Sequence, residues 1–253
     1  MRILLSLCLV VFFFSGVSAT PTTIIIRAKA KDAKFIGSSV GGAYVIVSNQ
    51  MTGEMLTQGK TTGSTGNTGL IMKEARERYT SLADENTSQF TAVIDIDEPT
   101  LLHISVTAPV NQRQAAIEAT TEVWAIPGKD ILGDGIVLEI PGFIIDVLAP
   151  RTHQFISTDD LEDGLLPIEA NVVMMCGCTI SDGGLWDANK MEIKAIVKRD
   201  GELVGEVPLQ IDSPNLFKGA VEAEEGGLYE IIVYAYDKAT GNTGVDKVNV
   251  VVN

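Results

Sequence analysis

The segment LYEIIVYAYD, Leu228 to Asp237, decides how this 253-residue chain is read. In an extended backbone alternate side chains share a face. Tyr229, Ile231, Val233 and Ala235 therefore fall on one side, and Glu230, Ile232, Tyr234 and Tyr236 on the other. The turn KATGNTG follows, and VDKVNVVVN closes the chain as a last strand.

Working outward, short β-branched runs recur between Gly, Pro, Asn and Asp. Upstream lie TTIIIRAKA, GAYVIVSN, SQFTAVIDI, LLHISVTAP, EVWAIPG, GIVLEIPG and FIIDVLAP; later come EANVVMMCGC, KMEIKAIVKR, LVGEVPLQI and LFKGAVEAE. Only LIMKEARERYTSLADE, Leu70 to Glu85, carries a helix-favouring composition, and it is short and highly charged. Many short strands with regular turns indicate sandwiches or barrels. The expected fold class is all-β, with two tandem antiparallel β-sandwich domains.

Strand alternation lapses in APRTHQFISTDDLEDGLLP, Ala149 to Pro167, which has a proline near each end and the acids Asp159, Asp160, Glu162 and Asp163. This segment is the best linker candidate. The expected layout is a signal peptide at 1–19, a first domain at 20–150, an acidic linker at 151–167 and a second domain at 168–253.

Two resemblances bear on these domains. GGLYEIIVYAYDKATGNTGVDKVNVVVN resembles the final two strands of bacterial immunoglobulin-like domains, with an aromatic after Gly and a turn at Gly-Asn. GGAYVIVSNQMTGEMLTQGKTTGSTGNTG, Gly41 to Gly69, resembles the hairpin of transthyretin-like, carboxypeptidase-regulatory-like domains. That likeness implies that Ala43, Val45 and Val47 face the core and that Asn49 and Gly53 make the turn. The charged segment after Gly69 departs from the pattern. Both families are accessory and binding modules, and fold analogy does not fix function.

The chain begins MRILLSLCLVVFFFSGVSAT. Arg2 supplies a positive n-region, Ile3 to Phe14 an apolar run, and Val17-Ser18-Ala19 the small residues before a cleavage site. The run is shorter than the about 20 apolar residues of a membrane-spanning helix. Cleavage after Ala19 is expected, placing the mature chain in the periplasm or outside the cell. Loss of Arg2 takes the formal charge from −14 to −15. Such an excess disfavours nucleic acid and anionic membrane surfaces.

Cys8 leaves with the signal, so Cys176 and Cys178 are the only thiols of the mature chain. An oxidising compartment favours pairing or metal binding. Three readings stay open. A Cys176–Cys178 disulfide requires a kink, which Gly177 permits, and it would close almost no loop. A soft-metal site would use Met174, Cys176 and Cys178 with His153 or His103, a set that suits copper. Otherwise, Val172, Met174, Cys176 and Cys178 simply share a packed face.

Elsewhere the chemistry is sparse. Asp95, Asp97 and Glu98 are calcium candidates without EF-hand spacing, and the acids of 151–167 are similar. Asn86-Thr87-Ser88 is a glycosylation sequon. Two Pro-Gly pairs, Pro127-Gly128 and Pro141-Gly142, mark sharp turns. An apolar ridge runs from Ile140 to Leu148, with Ile140, Phe143, Ile144, Ile145 and Leu148 as interface candidates. No HExxH, Walker, dinucleotide or CxxCH motif occurs. The leading expectation is a non-catalytic, secreted binding or structural subunit of a cell-envelope complex with a protein partner and no cofactor. The alternatives are a copper-handling protein and a thiol-disulfide oxidoreductase.

Overall fold

The computed structural model describes residues 19–253. The expected signal segment lies outside the described residues except for Ala19, and Cys8 lies outside them as well.

Seven strands build the first sandwich: β1 (Thr20–Ala30), β2 (Tyr44–Asn49), β3 (Met55–Lys60), β4 (Phe90–Ile96), β5 (Thr100–Ala108), β6 (Ile117–Ala125) and β7 (Ile131–Ile140). One sheet has the order β3-β2-β5-β6 and the other β4-β1-β7. Alternation explains why they meet. Val45 and Val47 of β2 and Leu102, Ile104 and Val106 of β5 are fully buried. They oppose Ile24, Ile26 and Ala28 of β1 and Ala92 and Ile94 of β4. Each large aliphatic buried this way contributes about 1.5–3 kcal/mol.

The second sandwich takes β8 (Phe143–Ala149), β9 (Gln154–Ile156), β10 (Leu165–Met174), β11 (Ile180–Ser181), β12 (Trp186–Asp187), β13 (Met191–Arg199), β14 (Glu202–Pro208), β15 (Gln210–Ser213), β16 (Leu216–Glu222), β17 (Gly227–Asp237) and β18 (Asn242–Val252). The order β15-β16-β10-β8 faces β14-β13-β17-β18-β9, with β11 and β12 as a small separate pair. Lettered along the chain, with β8 as A, β9 as A′, β10 as B, and β13 to β18 as C, C′, D, E, F and G, this is D-E-B-A facing C′-C-F-G-A′. It is an immunoglobulin-like sandwich.

Strand β17 is the segment LYEIIVYAYD with one preceding Gly. Tyr229, Ile231, Val233 and Ala235 are buried as the alternation requires, and Leu228 and Tyr236 on the other face are exposed. The Tyr229 hydroxyl donates to the Glu225 carbonyl at 2.8 Å. A tyrosine at the start of strand F that bonds back to upstream backbone is the tyrosine corner of immunoglobulin folds.

Three expectations are corrected. First, the break between the sandwiches lies at Pro141-Gly142, not at 151–167. Strand β8 pairs with β10 and β9 pairs with β18, so residues 143–167 belong to the second sandwich. The acids of this stretch are exposed, which made its composition look like a linker, but composition does not report backbone pairing. Second, Pro141-Gly142 is a crossing from one sandwich to the other instead of a hairpin; only Pro127-Gly128 makes a local turn, with Lys129 N donating to Ile126 O. Third, Leu70 to Glu85 is not a helix beyond a single π turn at Gly69–Lys73. It offers one buried apolar side chain, Ile71, too little for a helical face. The expected all-β fold of antiparallel sandwiches is what forms, with β1–β7, β18–β9 and β11–β12 as parallel pairings within it.

Candidate functional site

Strand β10 ends at Met174, and the next four residues make a tight reversal. Gly177 N donates to Met174 O at 2.7 Å and Met174 N to Cys178 O at 3.1 Å. Gly177 turns the chain with φ of +74°, a conformation that glycine adopts without steric cost. The reversal brings Cys176 and Cys178 to a Cα separation of 5.3 Å, and their sulfurs form a disulfide. The expected alternation therefore stops at Met174: Met175 and Cys176 are both buried.

This turn sits against the first sandwich. A Cβ on Gly177 would lie 2.8 Å from Val40 Cγ1. The disulfide, Gly177, Thr179 and Trp186 on one side, with Lys34, Ser39 and Thr65 on the other, line a groove of about 390 Å³. Cys176 is 1% exposed and Cys178 8%.

The surrounding junction is held by side chains that reach across it. Trp186 Nε1 donates to Asp32 O at 2.9 Å. Fully buried Asn242 donates through Nδ2 to Lys31 O at 3.1 Å and accepts from Gly142 N through Oδ1 at 2.9 Å. Gln114 Nε2 donates to Asp146 Oδ1 at 2.6 Å. Burial raises the Asp146 carboxyl above the ordinary carboxylate range, and the Asp246 charge adds to the shift.

The copper reading loses its ligands. Both thiols are in the disulfide, and Met174 is buried at the β8–β10 pairing opposite Phe143. His153 lies past the opposite end of β8, roughly 20 Å along the strand from Phe143. Its ring packs edge-on to Phe155, with centroids 5.3 Å apart. His103 is in β5 with Nδ1 buried and without a hydrogen-bond partner. Among the described residues no three His, Cys, Asp or Glu side chains gather to hold a metal ion. That covers Asp95, Asp97 and Glu98 and the acids Asp159, Asp160, Glu162 and Asp163, all of which are exposed.

The apolar ridge is also corrected. Ile140, Phe143, Ile144 and Ile145 are buried within this chain, and only Leu148, 47% exposed, faces outward. They are core residues on either side of the crossing. Sequence reading missed Asn242, Trp186 and Lys34. The Gly-Asn turn singled out Asn242 only as a turn residue, and nothing local signals its long-range bonds.

No family model and no curated protein matches the chain. Among solved structures it is similar to an engineered protein, 13% identical with a TM-score of 0.33, over 48% of this chain and 22% of that one. The fibronectin(III)-like modules of Clostridium thermocellum CbhA match at 16% identity and a TM-score of 0.29, over 95% and 92%. Drosophila N-cadherin EC1-3 matches at 12% identity and 0.32, over 92% and 67%. The immunoglobulin-like assignment rests on strand order. No helix among the described residues is long and apolar enough to cross a membrane.

Proposed function

We propose that the mature chain is a non-catalytic, secreted binding or structural subunit of a cell-envelope complex. The observation that carries this reading is a free edge on the first sandwich. Strands β6 and β7 are terminal in their sheets, and they succeed each other through the Pro127-Gly128 turn. Around that turn Trp124 is 60% and Leu132 58% exposed, with Ile126 also exposed. Soluble proteins normally blunt such edges, and an extended strand of a partner can add to one that is left open.

Domain type supports the same reading. In chain order the first sandwich is C-B-E-F facing D-A-G, with A and G parallel, and its Gly41 to Gly69 segment resembles the hairpin of transthyretin-like domains. Ala43, Val45 and Val47 are buried as that likeness implies, and Gly53 N donates to Asn49 O in the turn. An accessory module of this type in tandem with an immunoglobulin-like one suits a docking subunit. The apolar run at Ile3 to Phe14 and the paired cysteines fit an exported chain.

The test is co-purification from the envelope fraction of the source cells. The tagged wild-type chain retains a stoichiometric protein partner, and a Trp124→Glu, Leu132→Glu double variant loses it while keeping its melting temperature. Absence of any partner from the wild type, or full retention by the variant, overturns the reading.

A further inference from the structure

We propose that the junction groove is a thiol-exchange site that takes a small thiol bearing a carboxylate. This goes beyond the docking role and uses residues remote from the β6–β7 edge. Three observations carry it. The Cys176–Cys178 disulfide forms part of the groove wall, with Cys178 the more exposed of the two residues. The groove has a volume of about 390 Å³, comparable to that of small-ligand sites. The polar side chains that line it are Lys34, Ser39, Thr65 and Thr179, one cation and three hydroxyls with no carboxylate among them. An anionic molecule is what such a set of donors receives.

The position of the disulfide adds to this. It joins residues two apart. Such a link closes almost no loop and contributes little through chain entropy. The turn is already closed by the Gly177–Met174 and Met174–Cys178 backbone hydrogen bonds. The fold therefore does not depend on the bond to hold this turn, and opening it leaves the backbone scaffold in place.

The exchange balances as follows. The incoming thiol loses its proton to water, and its thiolate attacks Cys178 Sγ. The Cys176–Cys178 bond breaks, and its electron pair leaves on Cys176 Sγ as a thiolate. A new disulfide joins the incoming sulfur to Cys178. A second thiolate of the same kind attacks the incoming sulfur of that mixed disulfide and releases Cys178 as a thiolate. Two small thiols are oxidised to their disulfide, and the protein gains two thiols. Lys34 acts as a positioning residue: its ammonium attracts the carboxylate and favours thiolate in the groove.

The experiment uses the purified mature chain in its oxidised state, with 3-mercaptopropionate as the anionic probe and cysteamine as the cationic one. Reaction is stopped with an alkylating agent and read by intact mass. The expected result is a mixed disulfide, or two alkylated thiols, in protein that keeps its native near-UV circular dichroism, with mercaptopropionate reacting faster. Lys34→Gln lowers the ratio of the anionic to the cationic rate by about threefold to tenfold at low salt, and Lys34→Arg keeps it. A disulfide that opens only in denaturant overturns the proposal, and so does a rate ratio that Lys34→Gln leaves unchanged. Neither outcome bears on the docking role, because the assay contains no partner.

Discussion

The indole N–H of Trp186 donates to the backbone carbonyl of Asp32 at 2.9 Å, across 154 residues of sequence. With Asn242, it couples the Cys176–Cys178 turn and the crossing at Pro141-Gly142 to the end of β1. The two sandwiches thus share a bonded junction.

Asn242 is the strongest point of that junction. Asn242→Ala leaves the Gly142 N–H and the Lys31 carbonyl without their partner in a buried site. The expected loss is about 2–4 kcal/mol, read from urea denaturation. Trp186→Phe removes one hydrogen bond to a carbonyl on an exposed residue and costs about 1 kcal/mol.

Arg27 anchors the charged insertion that follows Gly69. The side chain is buried and donates to the carbonyls of Thr87 and Ser88 and to Gln89 Oε1. Arg27→Met leaves these acceptors unpaired, and a loss of about 3–5 kcal/mol is expected. Limited proteolysis checks the location of the damage: cutting should rise first within residues 74–88.

Asp134 holds the same insertion from the other side and gives it a pH dependence. Burial acts to raise its carboxyl. Hydrogen bonds from Leu82 N, Ser81 Oγ and Ala83 N, together with Arg27, prevail and bring it below the ordinary value of 3.8. A carboxyl depressed in the folded state stabilises above its unfolded pKa and loses that contribution as pH falls through the folded pKa. Asp134→Asn should therefore destabilise the protein at pH 7. The gap to wild type should narrow only in acid below 3.8, as measured by urea titration at each pH.

Asp146 should show the opposite sign. Burial first, then Asp246, raises its carboxyl above 3.8 in the folded state. The folded protein then holds the proton more tightly than the unfolded chain, so stability falls as pH rises from 3.8 through the folded pKa. Asp146→Asn keeps an acceptor for Gln114 and removes the charge. It should match wild type in acid and exceed it at pH 7, by less than about 1 kcal/mol for a half-exposed site. Paired melts at pH 3 and pH 7 check this.

Period-two patterning made most strands legible, because burial on one face writes itself into alternate residues. Tyr229, Ile231, Val233 and Ala235 are the clearest case. Pairing between distant segments is not written that way. Gln154 to Ile156 carries no alternation, yet the backbone pairs with the last strand as a parallel edge. The same limit hid the junction: Cys176 and Cys178 stood out as residue types, but Lys34, Asn242 and Trp186 join them only through the path of the fold. The ridge Ile140 to Leu148 read as a surface because hydrophobicity alone does not tell a core strand from an exposed one.

The docking role is tested most directly by site-specific photo-cross-linking in the source cells, with the reactive group at Trp124 and a control at Leu203, exposed on β14 of the other sandwich. The account predicts a discrete adduct with one envelope protein from position 124 and none from position 203. No adduct at 124, or the same adduct from both positions, would contradict it.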